Sequence, residues 1–194
     1  MKSTELCIND LNLKQAIWQL GQAYIEGHQQ QHNTLPVAEI DPESQSPCQV
    51  ETKANEKTTW QVVKIDKEID FKNINNALDV VIHKDIEDYF GTMYADSLAV
   101  QSVDGKLSLL FPWNIEDFQR LQENIIGHIM MKQRLKQKVT VFFAVTDEED
   151  MIISLDNDSG EIWVEQVGCK PHKKLANSMQ EFLSSLSFDF SKGS

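Results

Sequence analysis

Few residues in this sequence have the types and the spacing that metal binding requires. His28 and His32 stand four residues apart in a segment with helical periodicity, which places both side chains on one helix face. A zinc protease helix carries Glu directly after its first histidine, but Gln29 occupies that position, and a third ligand is missing nearby. Both histidines are therefore expected to be ordinary polar residues near a fraying helix end, and no metal site is predicted.

Two acidic runs are partly similar to calcium-binding loops. The run at 66–70 lacks the turn glycine at its sixth position and the bidentate Glu at its twelfth, where Phe71 and Ala77 stand. The run at 156–160 fails in the same way and is more typical of a turn between two strands. Calcium binding is therefore not expected.

The sequence also lacks the usual signs of a nucleophile or a phosphate-binding loop. Cys7, Cys48 and Cys169 are far apart and form no Cys-x-x-Cys pair, which is typical of a reducing compartment. There is no Gly-x-Ser-x-Gly motif, and the eight glycines are too dispersed to cradle a phosphate. His128 lies in an apolar helical pattern, where a hydrogen-bonded structural role is commoner than general-base catalysis. We therefore expect a protein without enzymatic activity and without a cofactor.

Negative charge is the strongest chemical feature of the chain. Lys and Arg total 18 against 30 Asp and Glu, so the formal net charge is -12. Acids are common in turns and on protected strand edges, so clustering alone fits ordinary surface decoration equally well. The basic stretch at 132–138 shows that charge is segregated, and this favours an acidic binding face. The stretch from Val141 to Cys169 has neither Lys nor Arg, and its eight acids are Asp147, Glu148, Glu149, Asp150, Asp156, Asp158, Glu161 and Glu165.

Net charge also restricts the classes of partner. An acidic surface repels nucleic-acid phosphates and anionic lipid headgroups, and it attracts basic proteins in a salt-dependent way. We therefore expect a basic protein partner, with no nucleic acid and no direct lipid insertion. The N-terminal sequence has no apolar signal region, and no segment approaches the ~20 apolar residues that span a bilayer. These features predict a cytosolic protein, most simply a monomer, whose membrane association depends on a partner.

Periodicity in the first half of the chain predicts two helices and a strand. The first helix is expected from about Ile8 to Gln31, with Asn9 or Asp10 as its cap. The polar segment at about 33–59 is predicted to be an irregular loop, with mobility favoured over a binding role. The remaining predicted elements of this half are a short strand at 60–65 and a helix from Ile74 to Phe90.

The second half is dominated by strands. Two apolar runs meet at Asp104-Gly105, which predicts a hairpin. Asn114 and Ser178 have the type and position of N-caps for a long and a short helix. The predicted strands of a C-terminal β-meander are 139–145, 151–156 and 161–167. This order predicts a single α+β domain over 1–194, with a mainly antiparallel sheet flanked by helices and a loose tail at 187–194.

Six segments of the chain are similar to one known family. They are SPCQV (46–50), NALDVVIHKDIEDYF (76–90), KLSLLFPWNIEDF (106–118), FQRLQENIIGHIMMKQRLK (118–136), VTVFFAVTDEEDMIISLDNDSGEIWVEQVG (139–168) and LANSMQEFLSSL (175–186). They resemble the SecY-interacting Syd family of gammaproteobacteria over nearly the whole chain. The most specific piece is Gln-Glu-Asn-Ile-Ile-Gly-His at 122–128.

The resemblance implies a single domain related to the SUKH superfamily, without enzymatic activity. It implies a peripheral protein on the cytoplasmic side of the inner membrane, which binds cytosolic loops of SecY, the channel subunit of the protein translocation machinery. It further implies an electronegative concave surface and a role as a negative regulator or quality-control factor of the translocon. Charge agrees with this, because cytoplasmic loops of membrane proteins are enriched in Lys and Arg.

The family resemblance does not identify the residues of the binding surface, so we select them by charge. The acids expected to line it are Asp147, Glu148, Glu149, Asp150, Asp156, Asp79, Asp85, Glu87 and Asp88. A competing interpretation is a SUKH-like adaptor or immunity protein that neutralises a basic protein. A metal-assisted hydrolase is disfavoured, because no set of candidate ligands has suitable spacing.

Overall fold

The computed structural model describes residues 12–40, 43–53, 56–67 and 69–191, and within them the chain forms five helices and twelve strands. The helices are α1 (Leu13–His32), α2 (Lys72–Leu78), α3 (Lys84–Phe90), α4 (Ile115–Arg134) and α5 (Met179–Ser184). The strands of the first half are β1 (Val37–Glu39), β2 (Gln49–Lys53), β3 (Lys57–Trp60), β4 (Val63–Lys64), β5 (Met93–Tyr94) and β6 (Leu98–Ser102). Those of the second half are β7 (Gly105–Leu109), β8 (Thr140–Thr146), β9 (Met151–Asp156), β10 (Ile162–Gln166), β11 (Lys173–Ala176) and β12 (Ser187–Phe188).

Polar side chains cap the starts of four helices, and the cap of α3 is His83, whose Nδ1 accepts the Asp85 N–H at 3.1 Å. The side chain of Asn12 accepts the Gln15 N–H at 2.9 Å, and the Gln15 side chain accepts the Asn12 N–H, so a capping box begins α1. The caps predicted earlier in the chain, Asn9 and Asp10, lie outside the described residues. Asn114 and Ser178 are the N-caps of α4 and α5, as predicted.

A seven-stranded sheet forms the centre of the fold. Its order is β11-β10-β9-β8-β7-β6-β12, and every neighbouring pair is antiparallel. The hairpin of β6 and β7 and the meander of β8, β9 and β10 occur where the sequence predicts them. The predicted α+β class, with a mainly antiparallel sheet and flanking helices, is therefore confirmed.

The end of the described chain differs from the predicted loose tail. Strand β12 pairs with β6, and the N–H of Asp189 donates to the Ala99 carbonyl at 3.0 Å. The ring of Phe190 then packs against Tyr24, with ring centroids 5.3 Å apart, and against His28 at 5.9 Å. This segment therefore joins the edge of the main sheet to α1.

The segment predicted as one helix from Ile74 to Phe90 is two short helices. Helix α2 ends before Asp79, which has a left-handed φ of 53°, and α3 starts after His83. The side chain of Asn157 holds the connection, because its Oδ1 accepts the His83 N–H at 2.9 Å and its Nδ2 donates to the Val81 carbonyl at 2.8 Å. A distant turn therefore contacts the connection at the break, and local periodicity does not show this contact.

The polar segment at about 33–59 is not irregular in its described part. Strands β1, β2 and β3 form a second antiparallel sheet with the order β1-β3-β2. Residues Thr58, Thr59 and Trp60 are buried, whereas the other two strands expose most of their side chains. The predicted strand at 60–65 is also divided, since β3 ends at Trp60 and β4 contains two residues. The prediction of an irregular loop was wrong; its mobility stays a prediction.

A charged cluster lies inside the protein between α4, β8 and β10. The side chains of Lys132 and Glu165 are 0% exposed, and Lys132 Nζ donates to Glu165 Oε2 at 2.8 Å. Thr140 Oγ1 donates to Glu165 Oε1 at 2.8 Å, and His128 Nε2 lies 3.0 Å from the Thr140 hydroxyl. Burial raises the pKa of Glu165, but hydrogen bonds from these three neighbours more than offset it, so the pKa lies below its ordinary value. The predicted structural role of His128 is confirmed.

Candidate partner-binding groove

Three adjoining depressions lie along strands β6, β7 and β8, and together we name them the acidic groove. The first, of about 200 Å³, lies between the β6–β7 and β8–β9 turns. It shares Lys106 and Asp147 with a second depression of about 50 Å³. The second shares Ala99 and Ser108 with a third of about 590 Å³, which extends to α1 and to strand β1 of the small sheet.

Carboxylates outnumber ammonium groups along this groove. Its lysines are Lys57, Lys106 and Lys173. Its acids are Glu39, Asp96, Asp104, Asp147, Glu148 and Asp189. The groove therefore carries a negative charge, and a basic ligand is favoured there over an acidic or phosphate-bearing one.

Two of the acids are already neutralised by lysines of the groove itself. Lys106 Nζ lies 2.8 Å from an oxygen of Asp189, and Lys173 Nζ lies 2.5 Å from an oxygen of Asp104. The Lys106 hydrogen bond holds the pKa of Asp189 well below its usual range. Among the described residues, no ion pair within 4 Å involves the other four acids, which leaves them for an incoming cation.

Asp96 has the least solvated carboxylate of these four. Burial raises its pKa, and the negative charge of Asp117 raises it further, although the N–H of Ser97 donates to it at 2.7 Å. A raised pKa means that the ionised form is disfavoured where it stands. A cation placed beside Asp96 would relieve that penalty, so the groove has an electrostatic reason to bind a positive group.

The structure places the predicted acids in two separate regions. Residues 147–150 form the exposed β8–β9 turn, and two of them, Asp147 and Glu148, line the acidic groove. Asp156 lies at the opposite end of β9, about 17 Å away for a strand of this length. The turn that follows it contacts the start of α3 through Asn157 and His83. The nine predicted acids therefore do not form one surface.

The acids of the second region have local structural partners. Asp156 is 4% exposed and accepts the N–H groups of Asp158 and Ser159, which organise the β9–β10 turn. Burial raises its pKa, but these bonds and Lys138 lower it to a net value below the ordinary one. Asp88 forms ion pairs with Lys14, at 3.6 Å, and with Lys84.

The remaining acids of the second region lie around the helix break. Asp85 is half-buried, with an oxygen 3.9 Å from the His83 ring, and burial raises its pKa. Glu87 is half-buried on α3, and Asp79 is exposed at the end of α2. Asp156, Asp88 and Asp85 thus have partners within the protein, whereas a partner-binding role for this region stays a prediction.

Four groove acids were missed by sequence reasoning: Glu39, Asp96, Asp104 and Asp189. They stand alone in four different segments and do not form a run. Asp104 was recognised only as a turn residue. No local signal in the sequence distinguishes these acids from ordinary surface residues.

The two histidines of α1 were expected to be polar residues near a fraying helix end, but both have hydrogen-bond partners. His28 Nδ1 lies 2.9 Å from the Thr34 carbonyl, and His32 Nε2 lies 3.0 Å from the Phe190 carbonyl. Over the described ranges, no group of three or more His, Cys, Asp or Glu side chains is arranged to hold a metal ion. No helix in the described part of the chain is long and apolar enough to cross a membrane.

Fold and site together define a class: an α+β protein that presents a concave acidic surface. Comparison with known sequences adds the family. A profile described as Syd protein (SUKH-2) matches residues 14–187. The chain belongs to the Syd family.

Several curated relatives carry the name Protein Syd. The one from Colwellia psychrerythraea is 51% identical over 183 residues, which cover 90% of this chain and 92% of that protein. The one from Alteromonas mediterranea is 45% identical over 149 residues, covering 76% of this chain and 82% of the relative. One from Aliivibrio fischeri is 38% identical over 176 residues, covering 91% and 96%. The resemblance found in the sequence is confirmed over nearly the full length.

Proposed function

We propose that this protein binds SecY by docking basic cytosolic loops of the channel into the acidic groove. The observation that carries the proposal is the excess of carboxylates in a concave surface of a Syd-family fold. Cytoplasmic loops of membrane proteins are rich in Lys and Arg, so they complement this surface. Neighbouring anionic lipid repels a chain with a net charge of -12, which favours the protein loops over bare membrane.

The protein would then sit on the cytoplasmic side of the inner membrane through its partner, in exchange with a soluble pool. By occupying loops that other cytosolic factors need, it would act as a negative regulator or quality-control factor of the translocon. No cofactor or catalytic step enters this proposal. Asp147 and Glu148 are the proposed direct contacts, and Glu149 and Asp150 of the same turn would steer the approach.

Charge reversal in the groove tests the proposal. We expect the double variant Asp147→Lys/Glu148→Lys to bind SecY-containing membranes roughly tenfold more weakly at low salt, a change equivalent to about 1.4 kcal/mol. The matched control is Glu26→Lys/Glu123→Lys, which changes the net charge equally at two exposed helical positions outside the groove. It should weaken binding much less.

Co-sedimentation with inverted membrane vesicles, over a series of salt concentrations, provides the measurement. Wild-type binding should fall as salt rises, because exposed charges are screened beyond about 10 Å at 0.1 M salt. Equal losses in both variants would show that only net charge matters and would contradict the groove. Binding that does not respond to salt would contradict an electrostatic contact altogether.

A further inference from the structure

Within the described parts of the chain, the small sheet has an unpaired edge at strand β1. There this strand pairs with β3 on one side only, and it stands at the end of the order β1-β3-β2. The N–H of Trp60 donates to the Pro36 carbonyl at 3.0 Å, and that of Ile40 donates to the Glu56 carbonyl at 2.6 Å. Such bonds recur at every second residue of an antiparallel pair. The main-chain groups of Val37 and Glu39 therefore point away from β3.

This free edge borders the largest depression of the acidic groove. All three residues of β1 line the cavity of about 590 Å³, and Asp96, Ser97 and Ala99 line it as well. The edge is accessible, since Val37 is 37% exposed and Glu39 is exposed. Unpaired N–H and C=O groups thus stand beside an open volume that two carboxylates, Glu39 and Asp96, and one lysine line.

Strand β6, which lines the same cavity, already pairs with an extended segment of this chain. Strand β12 and Asp189 cover β6 from Gln101 to Ala99. At Phe190 the chain turns towards α1, where the Phe190 carbonyl meets His32. The cavity overlaps this coverage at Ala99 and extends beyond it to Asp96 and Ser97.

We propose that an extended segment of the basic partner adds to β1 as a fourth strand of the small sheet. Its main chain bonds to the outward groups of Val37 and Glu39, and a basic side chain next to that contact reaches Asp96. A strand of three residues spans about 10 Å, so a short stretch of the partner suffices. The idea rests on the proposed function, since the added strand belongs to the same basic loop.

Charge decides between this occupant and a second copy of the chain. Of the two carboxylates in this cavity, Glu39 has Lys57 opposite it in the β1–β3 register, so we expect Asp96 to be the main contact of an incoming cation. Pairing of two β1 edges would bring Glu39 and Asp96 of both copies together, in chains that each carry a net charge of -12. A basic segment meets the opposite situation and is favoured.

Proline substitution tests the main-chain contact. Val37→Pro removes an N–H that points away from β3, so the β1–β3 pairing should survive. We expect this variant to bind SecY-containing vesicles about threefold to tenfold more weakly, as the loss of one hydrogen bond implies. Val50→Pro is the matched control, because Val50 has no partner in the β2–β3 register and lies on the opposite edge, outside the cavity. It should bind like the wild type.

Hydrogen exchange of the wild-type protein gives a second readout if Val37→Pro fails to fold. On addition of the same vesicles, the amides of Val37 and Glu39 should become protected, and those of β2 should not. Unchanged binding by Val37→Pro, or unchanged exchange at β1, would overturn strand addition. If Asp147→Lys/Glu148→Lys still binds weakly in that case, the groove function stands without it. If that variant also binds normally, the proposed function itself is wrong.

Discussion

Replacement of Glu165 by Gln should destabilise this protein far more than the loss of a surface ion pair. The change keeps the size of the side chain but leaves the ammonium of Lys132, which is 0% exposed, without a counter-charge. Breaking a buried pair by removing one partner costs about 3–5 kcal/mol. For a chain of this length, each kcal/mol lowers the unfolding temperature by about 2–4 °C, so a fall of roughly 6–20 °C is expected.

Thermal and urea unfolding followed by circular dichroism at pH 7 would measure this loss. The exposed pair Lys174–Glu161 provides the control, and Glu161→Gln should leave the midpoint nearly unchanged. The double variant Lys132→Met/Glu165→Leu removes both charges and should recover most of the stability. A loss for Glu165→Gln no larger than that of the control, or strictly additive losses in the double variant, would refute the reasoning.

The same cluster predicts the direction of acid sensitivity. The pKa of Glu165 is lowered in the folded protein relative to its ordinary value of 4.5. Its contribution is therefore fully present above pH 4.5 and is lost as the pH falls through the lower, folded pKa. The free energy of unfolding of the wild type should decline more steeply than that of Glu165→Gln as the pH falls below 4.5. An equally steep decline in both proteins would contradict a lowered pKa of Glu165.

Two further predictions concern the helix break and the thiols. Asn157→Ala should lower the free energy of unfolding by about 1–3 kcal/mol, because His83 N–H and Val81 C=O lose their hydrogen-bond partner. Urea titration measures this change. An unchanged midpoint would show that the α2–α3 connection does not need Asn157. In a Cys7→Ser background, Cys169 should react with a thiol reagent at pH 8 much faster than Cys48, because burial raises the pKa of Cys48 to about 11. Equal reaction rates of the two thiols in the folded protein would contradict the buried position of Cys48.

Local signals were sufficient for most of the main sheet and for the long helix α4. The meander of β8, β9 and β10 has continuous apolar runs separated by polar turns, and the capping bond of Asn114 comes from Asp117, only three residues away. The small sheet was missed because two of its strands expose most of their side chains, so neither alternation nor an apolar run marks them. The helix break at Asp79 was missed because apolar residues continue at helical spacing across it, and because the contact of Asn157 with the connection comes from a distant turn.

The groove was predicted only in part for a similar reason. Asp147 and Glu148 belong to a dense acidic turn, which composition alone can find. The other groove acids come from β1, from the start of β6, from the β6–β7 turn and from the segment after β12. These segments meet only because distant strands pair. The negative charge of the binding surface was therefore predictable from the sequence. Which acids form that surface depends on how distant strands pair, and this was not predictable.

The fold also reduces the charge that the meander offers to a partner. Three of the acids between 141 and 169 already have partners within the protein. Glu165 forms a buried ion pair with Lys132, and Glu161 pairs with Lys174. Asp156 accepts hydrogen bonds from the main chain of the β9–β10 turn. In the groove, the ammonium groups of Lys106 and Lys173 already occupy positions beside carboxylates, so a partner lysine must compete with them. Charge density alone therefore gives less discrimination between basic ligands than the sequence suggests. We expect discrimination to depend also on the shape of the groove and on main-chain contacts, and the edge strand β1 offers both beside the largest depression of the groove.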